Sequence, residues 1–244
     1  VGDYNVDGNQ DIVAAGRPSG LVGYWKFDEN TGTNTMDFSG NGNNGALLNA
    51  PLWGTGKYNY ALNFSNNSLN RVEITDPGSG ILDFGTGSFS VSIWGFHSDF
   101  SYPRTTFPIK KSASCYSGAG NPGWDLGHGY TSSGIDVCFN DGTNFVRGTI
   151  PFNSGYQPPN LSNTWVHLVM VFNRSAGRAM AYVNGVKQTG EYNISSVTGS
   201  VDNASALLIG DLYGWRAGGT LDDVKLFNRA LSAEEIAGLY QATK

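Results

Sequence analysis

The segment Leu221–Leu231 near the C-terminus constrains the fold more than any other stretch of the sequence. Val224 and Leu226 fall on one side of an extended segment, which is the pattern of a strand with a buried face. In the same alternation Asp222 falls on the side of Val224 and Leu226. An ionised carboxylate on a buried face is costly unless something pairs with it. The segment therefore predicts a core-forming strand that carries a carboxylate with a specific partner.

A short helix is predicted directly after this strand. Ser232-Ala-Glu-Glu235 has the spacing of a capping box, in which Ser232 and Glu235 satisfy each other's backbone amides. Over about residues 233–241, the 3.6-residue period places Ile236, Leu239 and Tyr240 on one side. The strand, a tight turn and this helix form a closing unit.

Strand patterns recur through the rest of the chain. Phe89, Val91 and Ile93 alternate with serines, and residues 166–172 are apolar on both faces. Asn184-Gly185 follows a short apolar run and predicts a tight hairpin, because both residues accept positive φ. Further short strands are predicted at 124–126, 134–139 and 144–150. The pattern predicts two antiparallel sheets packed face to face.

Length and charge narrow the class of protein. The chain has 244 residues and a net charge of −5, and no basic stripe appears. This argues against a nucleic-acid or anionic-membrane partner. No apolar run approaches the ~20 residues that a membrane-spanning helix needs. The chain begins at Val1, which fits a mature or trimmed fragment.

Several aromatic and glycine-rich segments occur in a fixed order before the closing unit. They are Leu21–Glu29, Asp37–Gly45, Tyr60–Phe64, Phe89–Trp94, Trp165–Val171 and Ala181–Gly185. In this order they resemble the LamG-like jelly-roll domains of the concanavalin A-like lectin/glucanase superfamily. The resemblance implies an all-β, two-sheet antiparallel jelly-roll sandwich with a short C-terminal helix over residues 20–244.

The same resemblance implies a structural calcium ion. In that family, calcium commonly joins the opening strand, the Gly/Asn turn and the closing strand. On this sequence the ligands would be the Asp28 and Asp222 carboxylates, with Asn43 and the Gly45 carbonyl from the turn. Two carboxylates in core-forming strands need a shared cation or they repel. The alternative is that Asp28 caps a turn and Asp222 pairs with Arg or Lys.

Residues 1–19 differ in composition from the remainder of the chain. They carry oxygen-bearing side chains at alternating positions around Gly8, namely Asp3, Asn5, Asp7 and Asp11. This spacing suits a Ca²⁺ loop, but Ala14 stands where an EF-hand requires Glu. The segment resembles the end of an FG-GAP/VCBS-type calcium loop followed by a linker, which implies a multidomain parent protein. The alternative is a polar turn.

The two cysteines, Cys115 and Cys138, each lie in a segment that can form a strand beside a turn. A cross-strand disulfide is predicted, and two free thiols are the alternative. Neither cysteine has a second Cys or a His at metal-ligand spacing, so a zinc site is disfavoured. A disulfide would place the protein in an oxidising compartment: secreted, periplasmic or at the cell surface.

Catalytic patterns are weak in this sequence. A retaining glycosidase needs paired carboxylates on the two sides of the glycosidic bond, and no Glu-X-Asp-X-X-Glu pattern occurs. A polysaccharide lyase would need a base–acid pair with a neutralising cation, for which His128, Tyr130 and either Arg104 or Arg147 are candidates. The strand motifs for that chemistry are absent, so the chain is predicted not to be an enzyme. A polysaccharide lyase or glycoside hydrolase is kept as the less favoured alternative.

Aromatic and planar polar residues in predicted loops favour sugar binding, because rings pack on C–H surfaces and planar groups bind hydroxyls. The candidates are Tyr213, Trp215 and Arg216 before the closing strand, and Tyr102, Arg104, Trp124, His128 and Tyr130 in the middle. The sequence thus predicts a secreted, calcium-stabilised, carbohydrate-binding module whose partners are a glycan and the other domains of its chain. An adhesive or spacer module that binds another protein is the main alternative.

Overall fold

The computed structural model describes residues 18–64, 69–97, 106–115, 118, 120–128, 134–156, 161–212, 215–216 and 218–244. Within these ranges the chain forms two antiparallel β-sheets packed as a jelly-roll sandwich, with one short helix, which confirms the predicted fold class. The predicted calcium loop with Asp3, Asn5, Asp7 and Asp11 lies outside the described residues.

The elements follow one another along the chain with short connections. They are β1 (Leu21–Trp25), β2 (Asn34–Thr35), β3 (Gly45–Leu48), β4 (Leu52–Thr55), β5 (Tyr60–Phe64), β6 (Arg71–Ile74), β7 (Phe89–His97), β8 (Thr106–Ser112), β9 (Gly123–His128), β10 (Gly134–Asn140), β11 (Phe145–Pro151), β12 (Thr164–Asn173), β13 (Arg178–Val183), β14 (Val186–Asn193), β15 (Leu207–Ile209), β16 (Asp211–Leu212), β17 (Trp215–Arg216), β18 (Gly219–Phe227) and α1 (Ala233–Ala242).

The first sheet has the strand order β14-β13-β12-β7-β18-β5-β4, and β1 also pairs with β18. The second sheet has the order β11-β10-β9-β8-β15-β6-β3-β2, while β16 and β17 form a separate hairpin. The predicted hairpin at Asn184-Gly185 joins β13 to β14, with φ of 51° and 78° at the two turn residues.

The main core lies between the two sheets. Phe89, Val91 and Ile93 on β7 point into it, as their alternation predicts. Phe89 stacks on Phe172 of β12, with ring centroids 4.4 Å apart. Burial of such apolar side chains supplies the main favourable term in folding.

Helix α1 covers the outer face of the first sheet. Its capping box is formed as predicted: the Glu235 amide donates to Ser232 Oγ at 3.3 Å, and the Ser232 amide donates to Glu235 Oε2 at 2.9 Å. Ile236 and Leu239 pack in a second apolar cluster that includes Phe227. Among the described residues, no helix combines the length and apolarity required to cross a bilayer.

Strand β18 contains a β-bulge at Asp222 and Asp223. Asp222 lies opposite Trp94, the register to β7 shifts after it, and Asp223 has a φ of 54°. Leu221 therefore packs in the core with Val224, and Asp222 lies on the outer face with its cross-strand partner Trp94. The prediction that Asp222 shares the Val224 side is wrong, because alternation does not allow for the extra residue of a bulge.

A buried lysine ties the connection between β6 and β7 to the second sheet. Lys111 on β8 has a side chain that is only 2% exposed. Its Nζ lies 2.8 Å from an oxygen of Asp76 and 2.8 Å from one of Asp83, and it donates to the Asn203 carbonyl at 2.7 Å. One ammonium group thus pairs with two carboxylates and holds three chain segments together.

Replacing Lys111 with Met leaves the two carboxylates facing each other without a counter-ion. We expect K111M to lower the free energy of unfolding by about 3 kcal/mol, the usual cost of stranding a buried charge partner. Urea unfolding followed by tryptophan fluorescence measures the change.

The matched control is K187M, which removes a lysine from an exposed pair with Glu191. Exposed pairs contribute little, so this control is expected to stay within about 0.5 kcal/mol of the wild-type protein. Equal effects of the two substitutions would show that the Lys111 cluster contributes no more than a surface ion pair.

Candidate functional site

Strand β18 changes its neighbour part of the way along its length. Leu221 pairs with Leu62 of β5, whereas Val224 pairs with Trp25 of β1. Strand β7 occupies the other side of β18, so β1 and β5 follow one another along the same edge. The bulge at Asp222 and Asp223 falls between these two pairings.

The turn between β4 and β5 binds the side chain of Asp222 at this point. Asp222 Oδ2 accepts from the backbone amides of Lys57 at 2.9 Å and Tyr58 at 3.3 Å. Asp28, which follows β1, accepts from the Tyr60 amide at 3.2 Å. The two carboxylates predicted to share calcium therefore hold the same turn. For Asp28 this agrees with the alternative interpretation, in which its side chain caps a turn. No salt bridge joins either carboxylate to Lys or Arg within the described ranges.

Three carboxylates meet at this junction with different electrostatic surroundings. Burial raises the pKa of Asp222 to about 8, and the neighbouring Asp223 and Asp28 carboxylates add to the effect. Burial also raises the pKa of Asp28. Asp223 is buried too, but its ion pair with Lys225 holds its pKa below the ordinary value. At neutral pH, Asp222 thus either retains a proton or requires a further cation.

A fourth carboxylate, Asp37, organises the turn before β3. Its Oδ1 accepts from the amides of Tyr24 at 3.0 Å and Ser39 at 2.8 Å, and its Oδ2 accepts from the Asn43 amide at 2.9 Å. The turn itself was predicted from the sequence, but Asp37 was not among the predicted site residues. The spacing Asp-X-Ser is the available signal, because an Asp side chain readily bonds the backbone two residues on.

The other two predicted calcium ligands belong to this turn and to the second sheet. The Asn43 carbonyl accepts from Trp25 Nε1 at 2.8 Å, and Gly45 begins β3. In the part of the chain that the structure describes, no contact joins Asn43 or Gly45 to Asp28 or Asp222. The structure brings the two carboxylates to one turn, and calcium coordination by the four-residue set stays a prediction.

Trp124 is a core residue. It is 1% exposed on β9 and packs against Phe84, Phe89 and Phe172. The prediction that Trp124 contacts a ligand is therefore wrong, because both faces of its ring are enclosed. A strand was predicted at 124–126, but the glycine- and proline-containing residues beside it favoured an exposed position for the Trp124 ring.

The remaining predicted sugar contacts are only partly described. The backbone of Trp215 and Arg216 forms β17, which pairs with β16 immediately before β18. The side chains of these two residues and of His128 are outside the description. Tyr213, Tyr102, Arg104 and Tyr130 lie outside the described residues. Their roles in binding stay predictions.

Two of the lyase candidates, His128 and Arg147, have described backbone positions. His128 lies on β9 and Arg147 on β11, with β10 between them. Arg147 pairs with Cys138, which pairs with Asp125, three residues before His128. From strand spacing and rise per residue, the two backbone positions are about 14 Å apart. This register does not favour a shared proton-transfer site.

A disulfide joins Cys115 to Cys138, with 6.0 Å between their Cα atoms, which confirms the predicted bridge. Cys115 follows β8 and Cys138 lies on β10, so the bridge passes across β9. The buried Asp125 carboxylate of β9 lies close to both sulfur atoms. The sulfur atoms are not thiolates, so this group does not provide a thiolate metal site.

His167 lies beneath α1. It is 2% exposed, and its Nε2 is 2.9 Å from Ser92 Oγ. Its ring forms a cluster with those of Trp94 and Tyr240, at centroid distances of 5.0 and 6.1 Å. Burial lowers the pKa of His167 to about 3, and the Lys225 ammonium acts in the same direction. The ring is thus neutral and part of the surface on which the helix docks.

The family model Laminin_G_3, described as the concanavalin A-like lectin/glucanases superfamily, matches residues 67–237. The chain therefore belongs to this superfamily. A comparison with curated protein sequences gives no match.

Several solved structures share the fold. The binding domain of Paraclostridial Mosquitocidal Protein 1 has a TM-score of 0.68 and 16% identity, covering 91% of this chain and 52% of that one. The receptor binding domain of botulinum neurotoxin C/D mosaic serotype has a TM-score of 0.69 and 16% identity, covering 91% and 51%. This chain thus spans about half of each toxin domain. Domain 4 of AbnA, a GH43 extracellular arabinanase from Geobacillus stearothermophilus, solved with arabinotriose, has a TM-score of 0.63 and 17% identity, covering 92% and 100%.

Replacing His167 with Gln should change how stability depends on pH. An unfolded histidine titrates near pH 6.5, whereas burial lowers the folded pKa to about 3. Between these values the unfolded chain binds a proton that the folded chain does not, so the wild-type protein loses stability as the pH falls. We expect it to lose about 2 kcal/mol more than H167Q between pH 6.5 and 5, measured by urea unfolding.

Asp222 has a raised pKa, so its contribution to stability increases as the pH falls, which is opposite to the effect of His167. This contribution is the same in H167Q and in the wild-type protein, so it cancels when the two are compared. Identical pH dependence of H167Q and the wild-type protein would contradict a histidine that stays neutral in the fold.

Proposed function

We propose that this chain is a non-catalytic carbohydrate-binding module of a secreted, multidomain protein. The observation that carries the proposal is the correspondence with Domain 4 of the arabinanase, which the chain matches over 100% of that domain's length. That domain is a separate part of a glycoside hydrolase and was solved with arabinotriose. The disulfide between Cys115 and Cys138 supports an oxidising, extracellular location.

The geometry at β18 supports a role without catalysis. Asp222 has the raised pKa that a general acid needs, but it is 1% exposed. One of its oxygens is held by two backbone amides of the β4–β5 turn. A glycosidase needs two carboxyl groups open to the two sides of a glycosidic bond. Asp222 is closed to a substrate and instead supports the turn.

The proposed glycan site is the end of the sandwich that carries the β16–β17 hairpin. Trp215 and Arg216 form β17 there, next to the start of β18. An indole ring and a guanidinium group have the chemistry that sugar recognition uses, since one packs on C–H surfaces and the other binds hydroxyl groups.

Calcium is proposed as a structural ion at Asp28 and Asp222. The fit rests on two buried or half-buried carboxylates with raised pKa values that hold one turn and lack a bonded lysine or arginine within the described ranges. Calcium prefers such oxygen ligands. The Asn43 side-chain amide donates to the Val22 carbonyl at 3.3 Å, and its Oδ1 and the Gly45 carbonyl remain the proposed further ligands.

A receptor-binding or adhesive module is the second candidate. The toxin structures that share the fold are binding domains, one of them a receptor binding domain. This candidate differs from the first in the partner, a protein rather than a glycan.

A glycan array tests the first candidate. It carries arabinan together with other plant, marine and microbial polysaccharides, and it is run with and without EDTA. We expect a defined polysaccharide to bind and W215A to weaken binding at least tenfold, because stacking on the ring is lost. W215F keeps a ring and serves as the control. No binding to any glycan by a folded protein would favour the protein-binding module, and depolymerised ligand would indicate an enzyme.

Calcium binding has its own test. We expect CaCl₂ at a hundred times its Kd to raise the Tm by roughly 5 °C, because a ligand of the folded state stabilises it. D222N should abolish this shift, whereas E191Q, which removes a carboxylate from exposed β14, should retain it. The proposed site would be contradicted if neither CaCl₂ nor EDTA changes the Tm of the wild-type protein. It would also be contradicted if CaCl₂ raises the Tm of D222N as much as that of the wild-type protein.

A further inference from the structure

A pocket of about 380 Å³ opens at the opposite end of the sandwich from the β16–β17 hairpin. It lies beside the residues that precede β7, whereas the start of β18, next to the hairpin, pairs near the end of β7 at Phe96. Strand β7 runs between the two ends for nine residues, which is about 30 Å. The pocket is therefore separate from the proposed glycan site and has a volume in the range of small-ligand sites.

Five of the nine residues that line this pocket carry a hydroxyl group, and one carries a guanidinium group. The residues are Thr86, Gly87, Ser88, Arg174, Ser175, Ile194, Ser195, Val197 and Thr198. No carboxylate belongs to the lining. Hydroxyl groups can donate hydrogen bonds, and a guanidinium carries a permanent positive charge that attracts carboxylate or sulfate oxygens.

Arg174 is positioned by neutral partners. Its Nη2 donates to the carbonyls of Val197 and Gly199, both at 2.9 Å, and its Nη1 donates to the Gly85 carbonyl at 3.4 Å. Among the described residues it makes no salt bridge. The positive charge at the pocket is thus fixed in place without a carboxylate bonded to it.

The nearest acidic influence on this guanidinium is Asp141, which lies outside the lining. Its carboxylate accepts from the amides of Thr143, Asn144 and Gly199. Burial lowers the pKa of Arg174, and Asp141 counteracts only part of that effect. An oxyanion in the pocket would provide the partner that the half-buried guanidinium lacks.

We propose that this pocket binds the anionic group, carboxylate or sulfate ester, of a glycan, with Arg174 as its charged anchor and the Ser and Thr hydroxyls as further donors. The proposal rests on the proposed carbohydrate-binding function and adds a second, charge-selective site to it. The net charge of −5 disfavours general attraction of polyanions, so selectivity for charge has to come from a local site.

Arg174 also holds chain segments together and stacks over Phe139 at 4.9 Å, so its removal would disturb the fold as well as the pocket. Thr198 is a better position for substitution, because it is exposed on the rim. T198E adds a negative charge, T198Q has the same size without charge, and T198K adds a positive charge.

The experiment is isothermal titration calorimetry of the whole chain with tetragalacturonate, its methyl ester and a sulfated carrageenan tetrasaccharide. We expect one charged probe to bind and the methyl ester not to bind. T198E should weaken binding about fivefold at low salt, T198K should strengthen it and T198Q should change it less than twofold. The two charged probes distinguish carboxylate from sulfate recognition, and equal Tm values confirm that the variants fold.

Equal binding of the charged probe and the methyl ester would overturn the proposal, because recognition would not depend on charge. Binding of charged probes that W215A abolishes and the Thr198 variants leave unchanged would place the site at the hairpin and also overturn it. Binding of neutral glycans alone would overturn the charge-selective site and leave the carbohydrate-binding function standing. Absence of binding to every glycan would reject both.

Discussion

The structure depends on how β18 accommodates two adjacent carboxylates in the middle of the first sheet. The bulge turns Asp222 to the outer face, where two amides of the β4–β5 turn reach it, while Asp223 pairs with Lys225. At the same point the strand exchanges β5 for β1 as its neighbour. Because buried carboxylates without partners would destabilise the fold, the turn, the lysine and the strand exchange have to form together.

Local patterns in the sequence predicted most of the fold. The alternation in β7, the Asn184-Gly185 hairpin and the capping box of α1 each depend on residues close together in the chain. Alternation could not predict which face of the sheet Asp222 occupies. A bulge adds one residue and so reverses the faces of the residues that follow, and the local sequence does not show where the bulge lies. Trp124 was misplaced because glycine and proline flank a strand that is otherwise buried. The position of Arg174 in a pocket was not predicted, because its partners are distant in sequence and offer only backbone carbonyls. These partners are Gly85, Val197 and Gly199.

The two ends of the sandwich differ in the chemistry they offer. The hairpin end carries Trp215 and Arg216, and the opposite end has a pocket lined by hydroxyls around Arg174. The sheets between them are packed with apolar side chains and joined at one connection by the Lys111 cluster. The sandwich places the two proposed sites at opposite ends, so a polysaccharide that binds at both needs a length and curvature that match their separation.

The antiparallel pairing of β1 with β18 also determines how the fold would respond to mechanical load. Leu21 pairs with Phe227, and the Asn228 amide donates to the Gly20 carbonyl at 2.8 Å, so the chain enters and leaves this strand pair at the same end. Tension applied between Gly20 and Asn228 would open the pair like a zipper, one hydrogen bond after another, rather than shear all of its bonds together. Arg229, which bonds both the Ser19 carbonyl and Glu235, lies at the first point to yield.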